Sequence, residues 1–253
     1  MTASTFAGDA SLRDRFALAL DAGASDAEIA FLRAHAAADG PTLVAPCGIG
    51  SLLVPLAAAG VAVHGVDPST SALALAEARL RAAGREALLV RQPLDELNLA
   101  FRYRAAIVPE GTVDGFADPA RLREGLRRIA AHLVAPATLS LAFGVPPEAR
   151  HAPAAPLVEV RSADFGGGAR IVRRSETTVD VETRRIDRVV RYEKREGRVI
   201  VARQDERVAE TWYERDEIAP LLRDAGFTDV VVADAPWADD GDGERWIATA
   251  ALA

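Results

Sequence analysis

Thr42-Leu43-Val44-Ala45-Pro46-Cys47-Gly48-Ile49-Gly50 is the stretch on which the reading of the chain turns. Its first five residues are an apolar run of strand length, and Cys47 to Gly50 form a turn that opens a helix over residues 51–59. Glycine at 48 and 50 lets the backbone bend sharply and lets a ligand approach it closely. Pro55 sits awkwardly inside that helix, and Gly60 ends it. A second apolar run, 61–66, stops at Asp67, where a carboxylate can accept hydrogen bonds from both hydroxyls of a ribose. A lone Gly-x-Gly is a plain tight turn, and a lone Asp before Pro68 is a turn acid. The two together, one helix and one strand apart, are far more specific.

Working outward, Ser69 or Thr70 caps a helix to about residue 83, and residues 87–90 form a third strand. Residues 105–108 form a fourth, followed by the loop Pro109-Glu110-Gly111-Thr112. Pro119 opens a helix through 133, and residues 137–143 make a fifth strand. Upstream, Ser25-Asp26-Ala27-Glu28 has the capping-box pattern and starts a helix that Gly40-Pro41 stops. Alternating short apolar strands and helices predict a parallel sheet covered on both faces.

The texture changes after Gly144. A Pro/Ala-rich connector leads into residues 158–208, where β-branched residues alternate with Arg and Glu, and Arg195-Glu196-Gly197-Arg198 reads as a hairpin turn. Three or four antiparallel strands are expected there. A helix at 214–225, with Pro220 oddly inside it, then strands at 228–233 and 245–252, return to the α/β pattern. The expected organisation is therefore 1–145 for N-terminal helices and α/β core, 146–210 for the antiparallel insert, as acceptor lid or dimer surface, and 211–253 for the end of the core.

The quoted motif at 43–50 resembles the first motif of the class I S-adenosylmethionine-dependent methyltransferases. Val63-His64-Gly65-Val66-Asp67-Pro68-Ser69 is similar to their second-strand motif, and Leu221-Leu222-Arg223-Asp224-Ala225-Gly226-Phe227 to their C-terminal helix-to-strand junction. The resemblance runs over residues 26–252, and the insert resembles the small sheet that some small-molecule methyltransferases place over the acceptor. It implies a Rossmann-like seven-stranded sheet with helices on both faces and an antiparallel last strand. It implies S-adenosylmethionine as cofactor, with Pro46, Cys47, Gly48, Ile49 and Gly50 facing its methionine part. Asp67, with Pro68 beside it, would hold the ribose; Gln92, Pro93 and Leu94 would flank the adenine; Pro109, Glu110 and Gly111 would form the floor near the methyl group.

The chain departs from that family at several places. Val44 stands where an acid is usual, Pro46 where Gly is frequent, Gln92 where Asp is common and Arg104 where an acid is common. Pro136-Ala137-Thr138 replaces the usual Pro-Gly-Gly. Val44 cannot replace a carboxylate that helps hold an ammonium group, and a charged hydrogen bond of that kind is worth about 1.5–3 kcal/mol.

The expected function is methyl transfer to a small-molecule acceptor, natural-product or sugar-like. The alternative is a protein of this fold without methyl transfer: a cyclase-like enzyme, a cofactor-binding scaffold or a regulator. An NAD-dependent oxidoreductase is a third reading, but Gly48-x-Gly50 runs on into Ser51-Leu52-Leu53 without the third glycine of the dinucleotide fingerprint.

The candidates for chemistry are Glu110, an acid in the loop after the fourth strand, His151 in the connector, and Tyr213, which with Trp212 walls an acceptor pocket or packs the insert on the core. Cys47, the one cysteine, reads as a small apolar side chain and excludes a disulfide framework or cysteine-rich metal site. The insert carries Arg161, Arg170, Arg173, Arg174, Arg184, Arg185, Arg188, Arg191, Arg198, Arg203 and Arg207. They form either a lid for an anionic substrate or a solvated face paired with Glu176, Asp180, Glu182, Asp187 and Glu206; the solvated face is the simpler reading. An edge-to-edge homodimer through this sheet is a further one.

The net charge of −7 argues against a nucleic-acid-coating surface, and Pro, Gly or charge breaks every apolar stretch short of a membrane span. Residues 1–16 lack the pattern of a signal peptide, so a cytoplasmic location is expected. The run Asp239-Asp240-Gly241-Asp242-Gly243-Glu244 does not have EF-hand spacing and reads as a solvated loop, so no metal is expected.

Overall fold

The computed structural model describes residues 11–21, 23–151, 153–164, 168–238 and 244–252. Most of the N-terminal stretch read for a signal peptide, and the acidic run before Glu244, lie outside them.

Two short helices, α1 (Leu12–Leu20) and α2 (Asp26–Ala34), precede the first strand. The core then runs β1 (Thr42–Val44), α3 (Leu53–Ala58), β2 (Val63–Asp67), α4 (Thr70–Ala82), β3 (Leu88–Arg91), β4 (Tyr103–Val108), α5 (Pro119–His132) and β5 (Leu133–Val145). A single-turn helix α6 (Pro147–Arg150) leads to four strands, β6 (Leu157–Asp164), β7 (Ala169–Asp180), β8 (Arg185–Glu196) and β9 (Val199–Thr211). The core resumes with α7 (Ile218–Asp224), β10 (Thr228–Asp234) and β11 (Glu244–Leu252).

The core sheet has the order β10-β11-β5-β4-β1-β2-β3. β1 to β5 pair parallel, and β11 runs antiparallel to both β5 and β10. From β1 the chain steps outward through β2 to β3, then returns to β4 on the other side of β1. The carboxyl ends of β1 and β4 therefore flank a topological switch point, where open α/β sheets bind ligands. The insert is a separate four-stranded meander, β6-β7-β8-β9, antiparallel throughout.

Local chemistry accounts for these elements. Ser25 Oγ accepts from the Glu28 N–H, Ser69 Oγ from the Ala72 N–H, and Asp118 Oδ1 from the Ala120 N–H, so α2, α4 and α5 begin at side-chain caps. Pro55 and Pro220 are the third residues of α3 and α7, both of which start later than the sequence pattern indicated. In a first turn the missing proline N–H has no intrahelical partner to lose. The fifth strand ends later than expected because β11 pairs along it to Val145, and begins earlier because Tyr103 of β4 pairs with Leu133.

α1 joins the two sheets. Phe16 packs edge-on to Tyr192 with ring centroids 5.8 Å apart, in a cluster with Ala163, Ile171 and Val190 of the insert. Its N-terminus is pinned by Leu12 N–H to Gln204 Oε1 at 2.8 Å and by Ser11 N–H to Ser71 Oγ at 3.0 Å.

The insert's arginines behave mainly as the solvated, ion-paired face. Asp187 pairs with Arg185 as expected, but the acids used elsewhere include Glu159, Asp164, Glu193, Asp205 and Glu210 rather than the ones the sequence suggested. Cross-strand register decides the partner, and alternation alone does not reveal register. Arg188 is the exception: with 20% of its side chain exposed, it holds Glu148 of α6, Glu210 and Thr177 Oγ1 together.

Gly65 of β2 has no room for a side chain: a Cβ there would lie 2.8 Å from Cys47 Sγ and 2.8 Å from Leu89 Cδ2. Gly65→Ala is expected to cost about 1–3 kcal/mol of stability, read as a lower urea midpoint at unchanged slope; an unshifted midpoint would mean that the turn after β1 yields freely.

Candidate active site

The carboxyl ends of β1, β2 and β4 open into a cleft of about 690 Å³, within the size range of small-molecule sites. Its walls come from the turn after β1 (Pro46, Cys47, Gly48, Ile49), the end of β2 (Asp67, Pro68, Ser69), the segment after β3 (Pro93, Leu94, Asp95) and the loop after β4 (Pro109 to Thr112, Gly115, Phe116). One side of α1 (Arg13, Asp14, Ala17, Asp21) closes it.

Asp67 organises this cleft. It is 7% exposed, and its Oδ2 accepts from the Gly48 N–H at 2.8 Å while Oδ1 accepts from the Ser69 N–H at 2.8 Å. Burial pushes its pKa up, and the two backbone donors pull it part of the way back. Each carboxylate oxygen has a second lone pair, so the group remains able to accept from two hydroxyls. Gly48 has φ +52°, and the position its Cβ would occupy has no atom within 4 Å, which leaves an open cradle against the backbone. Gly50 serves the fold instead: with φ +86°, its Cβ would lie 2.9 Å from Val54 and 3.3 Å from Ala76, so it lets α3 and α4 close together.

Arg79 of α4 supports the same turn from behind, donating to the Ile49 carbonyl at 3.0 Å and pairing with Asp21 at 2.7 Å. Asp14 accepts from Ser69 Oγ at 3.1 Å and from Ser71 Oγ. Cys47 is buried, and its thiol pKa is raised by burial and by the nearby Asp67, which makes it an inert apolar contact.

The residues expected around the cofactor line this cleft, with two exceptions. Gly50 lies beneath it, and Gln92 is committed elsewhere: its Nε2 donates to the Asn98 carbonyl at 3.1 Å and its Oε1 accepts from the Asn98 N–H at 2.8 Å. The polar side chain presented there is Asp95, held by Arg121 at 2.6 Å. Val44 is fully buried, packed with Leu32, Leu53 and Ile107 on the helical side of β1.

Of the three candidates for chemistry, Glu110 lines the cleft, paired with Arg245 at 3.2 Å. His151 is exposed at the end of α6 and outside the cleft, and Tyr213 is buried in the main core beside Trp212. None of the insert's arginines lines the cleft; Arg13 and Arg121 do.

Helices were expected among the first forty residues, but nothing local marks α1 as a wall of the cleft. Asp114 was not singled out in the sequence. Its Oδ1 is buried without a hydrogen-bond partner among the described residues, and burial, with Glu110 and Glu210 nearby, pushes its pKa up to about 7. Among the described residues no group of three or more His, Cys, Asp or Glu could hold a metal, and no helix is long and apolar enough to cross a membrane.

With this geometry in place, the chain can be set beside known proteins. No protein-family model matches it, and no curated protein does. Solved structures do. An S-adenosylmethionine-dependent methyltransferase from Clostridium acetobutylicum superposes with TM-score 0.73 at 16% identity, covering 93% of this chain and 95% of that one. KedS8, a sugar N-methyltransferase from a Streptoalloteichus species, gives 0.72 at 19% identity, covering 100% and 98%. S-adenosylmethionine-bound CalS10, an amino pentose methyltransferase from Micromonospora echinaspora, gives 0.63 at 20%, covering 93% and 91%. The fold is thus that of the S-adenosylmethionine-dependent methyltransferases, insert included.

The raised pKa of Asp114 has a measurable consequence. The folded state keeps a proton that an unfolded aspartate, near 3.8, has released, so this group's contribution to stability falls as pH rises from about 4 to about 7 and is level above. Asp114→Asn removes that penalty. The variant is expected to gain stability over wild type between about pH 4 and pH 8 in urea denaturation; a pH-independent difference would show that the carboxyl titrates normally.

Proposed function

We propose that the protein binds S-adenosylmethionine in the cleft and transfers its methyl group to a small-molecule acceptor bearing an amine. The observation that carries this reading is Asp67, held by two backbone N–H groups beside the open Gly48 turn at the switch point. The Pro46–Ile49 backbone would take the methionine part, Asp67 the ribose, and Pro93, Leu94 and Asp95 the adenine edge, with Gln92 bracing the segment behind them. Pro109 to Thr112 would form the floor next to the reacting centre.

The bound cofactor supplies an already activated methyl group, so the chain's task is alignment and exclusion of water. Carboxylates outnumber cations in the lining: Asp14, Asp21, Asp67, Asp95 and Glu110 against Arg13 and Arg121. Such a cleft favours a sulfonium cofactor and a basic acceptor over an anionic one. Two similar folds, a sugar N-methyltransferase and an amino pentose methyltransferase, act on molecules of that kind. We read residues 146–210 as the acceptor-side lid, steadied by α1, with a homodimer through its outer strands as the other use of that sheet.

A second reading, a protein of this fold that holds the cofactor without methyl transfer, draws on Val44, whose apolar side chain is fully buried and gives the ammonium group no partner. Calorimetric titration with S-adenosylmethionine and S-adenosylhomocysteine tests the cofactor assignment. Micromolar binding is expected, falling by about tenfold or more in Asp67→Ala. Well-folded protein that binds neither ligand would leave the likeness to methyltransferases one of fold alone. Binding of both without methylation of any amine in an acceptor screen would favour the second reading.

A further inference from the structure

We propose that β6 is a dimerisation strand: its free edge pairs antiparallel with β6 of a second copy of this chain about a two-fold axis at Val160, joining the two meanders into one continuous sheet. The inference is independent of the cofactor assignment. It commits the second use of the insert to one strand and one register.

Among the described residues the strands with an unpaired edge are β10 and β3 in the core sheet and β6 and β9 in the meander. Such an edge is a row of unpaired backbone donors and acceptors, which proteins blunt with bulges, shortness, proline or charge. β10 is bulged between Thr228 and Val231, and β3 has only four residues. β9 carries Arg203, Asp205 and Arg207 in alternation, and its Gln204 is taken by the Leu12 N–H of α1. β6 has no proline or lysine in its eight residues, and its register with β7 is unbroken from Leu157 to Asp164. It also exposes three large apolar side chains, Leu157 at 48%, Val158 at 46% and Val160 at 59%.

The charges of β6 select the partner and the register. A two-fold axis perpendicular to the sheet keeps each face of one copy continuous with the same face of the other, so opposed residues must lie on the same side of the pleat. An axis at Glu159 would set that acid against itself, and an axis at Arg161 would do the same with a guanidinium; like charges directly opposite disfavour pairing. Axes at Val158 or Ser162 leave much of the strand unpaired. The axis at Val160 sets Glu159 opposite Arg161 of the second copy, and Arg161 opposite Glu159 of the second copy. On the other face Val160 meets Val160 and Val158 meets Ser162, while Leu157 falls opposite Ala163, so the pairing spans Leu157 to Ala163. The side chains are placed for the exchange. Arg161 pairs with Glu159 of its own strand at 2.7 Å with 61% of its side chain exposed, and Glu159 is also held by Arg173 at 3.2 Å. Arg161 can therefore turn to the second copy while Arg173 keeps Glu159 in place.

Sedimentation equilibrium of the full chain over a concentration series tests this, with hydrogen exchange of the β6 amides read on the same samples. A single edge pairing is a small interface, so wild type is expected to form a reversible dimer with a Kd on the order of 100 μM or tighter. Exchange of alternate β6 amides should slow as the dimer fills. Glu159→Arg and Arg161→Glu each put two like-charge pairs across the axis and should weaken the dimer about tenfold or more. The double variant Glu159→Arg/Arg161→Glu restores opposite charges in reverse order and should dimerise within about threefold of wild type. Val160→Lys leaves the pair within the strand intact but sets two ammonium groups against each other at the axis, and should abolish the dimer. Wild type that stays monomeric up to about 1 mM overturns the proposal. So does a dimer indifferent to Val160→Lys, one that the double variant does not restore, or one whose formation leaves β6 exchange unchanged.

Discussion

The structure hangs on one buried carboxylate. Asp67 is held by the Gly48 and Ser69 backbone N–H groups, one after β1 and one after β2, beside the switch point. A buried charge without such donors would cost several kcal/mol, so the two bonds fix where the turn after β1 and the start of α4 must lie. Other contacts lock the same geometry: the Cys47 N–H donates to the Val66 carbonyl at 2.7 Å, and Gly65 leaves the space that Cys47 fills. Ser69 extends the chain of constraint. Its Oγ caps α4 and donates to Asp14, which brings α1 onto the cleft. α1 in turn seats Phe16 in the insert. A ligand that occupies the cleft therefore meets a wall mechanically continuous with the second sheet.

The charge on the insert matters less than its density suggests. Most of its ion pairs are exposed, as with Arg185–Asp187 and Arg191–Asp205, and exposed pairs contribute about 0–1 kcal/mol each. What joins the insert to the core is apolar packing around Phe16, Ile171 and Tyr192, the burial of Ile186 and Trp212 in the main core, and the Arg188 junction. The arginines keep the outer face of the meander wet, and the best-buried of them, Arg188, ties the meander to α6 through Glu148.

The residues whose role is set by neighbours in sequence were legible before the structure. Strand and helix period, the glycines at 48 and 50, and Asp67 at a strand end all report on local geometry, and they marked the strand ends that line the cleft. Residues whose role is set by distant neighbours were not. Gln92 looked like an adenine ligand because of where it falls along the chain, but both ends of its amide are taken by Asn98, and Asp95 faces the cleft. His151 and Tyr213 were plausible by residue type, yet one is exposed beyond the cleft and the other is core. Asp114 was not singled out at all, because its burial and its backbone bond to Thr211 at the end of β9 depend on a segment far along the chain.

The buried Val44 bears on how such a cleft can hold a cation. An acid at the end of β1 is one solution; the field of a whole low-dielectric cleft is another. Here Asp21 is matched by Arg79 and Asp95 by Arg121, so those two acids act mainly as struts for the glycine turn and the segment after β3. Asp14 and Asp67 take their hydrogen bonds from neutral donors, hydroxyls and backbone N–H groups, and the cation that acts on Asp67 is Arg13 of the same α1 wall. A sulfonium-bearing ligand would therefore find its compensation spread over the α1 and β2 walls. That arrangement asks less of the β1 position and more of the seating of α1, which ties the cation-holding capacity of the cleft to the packing of Phe16 against the insert.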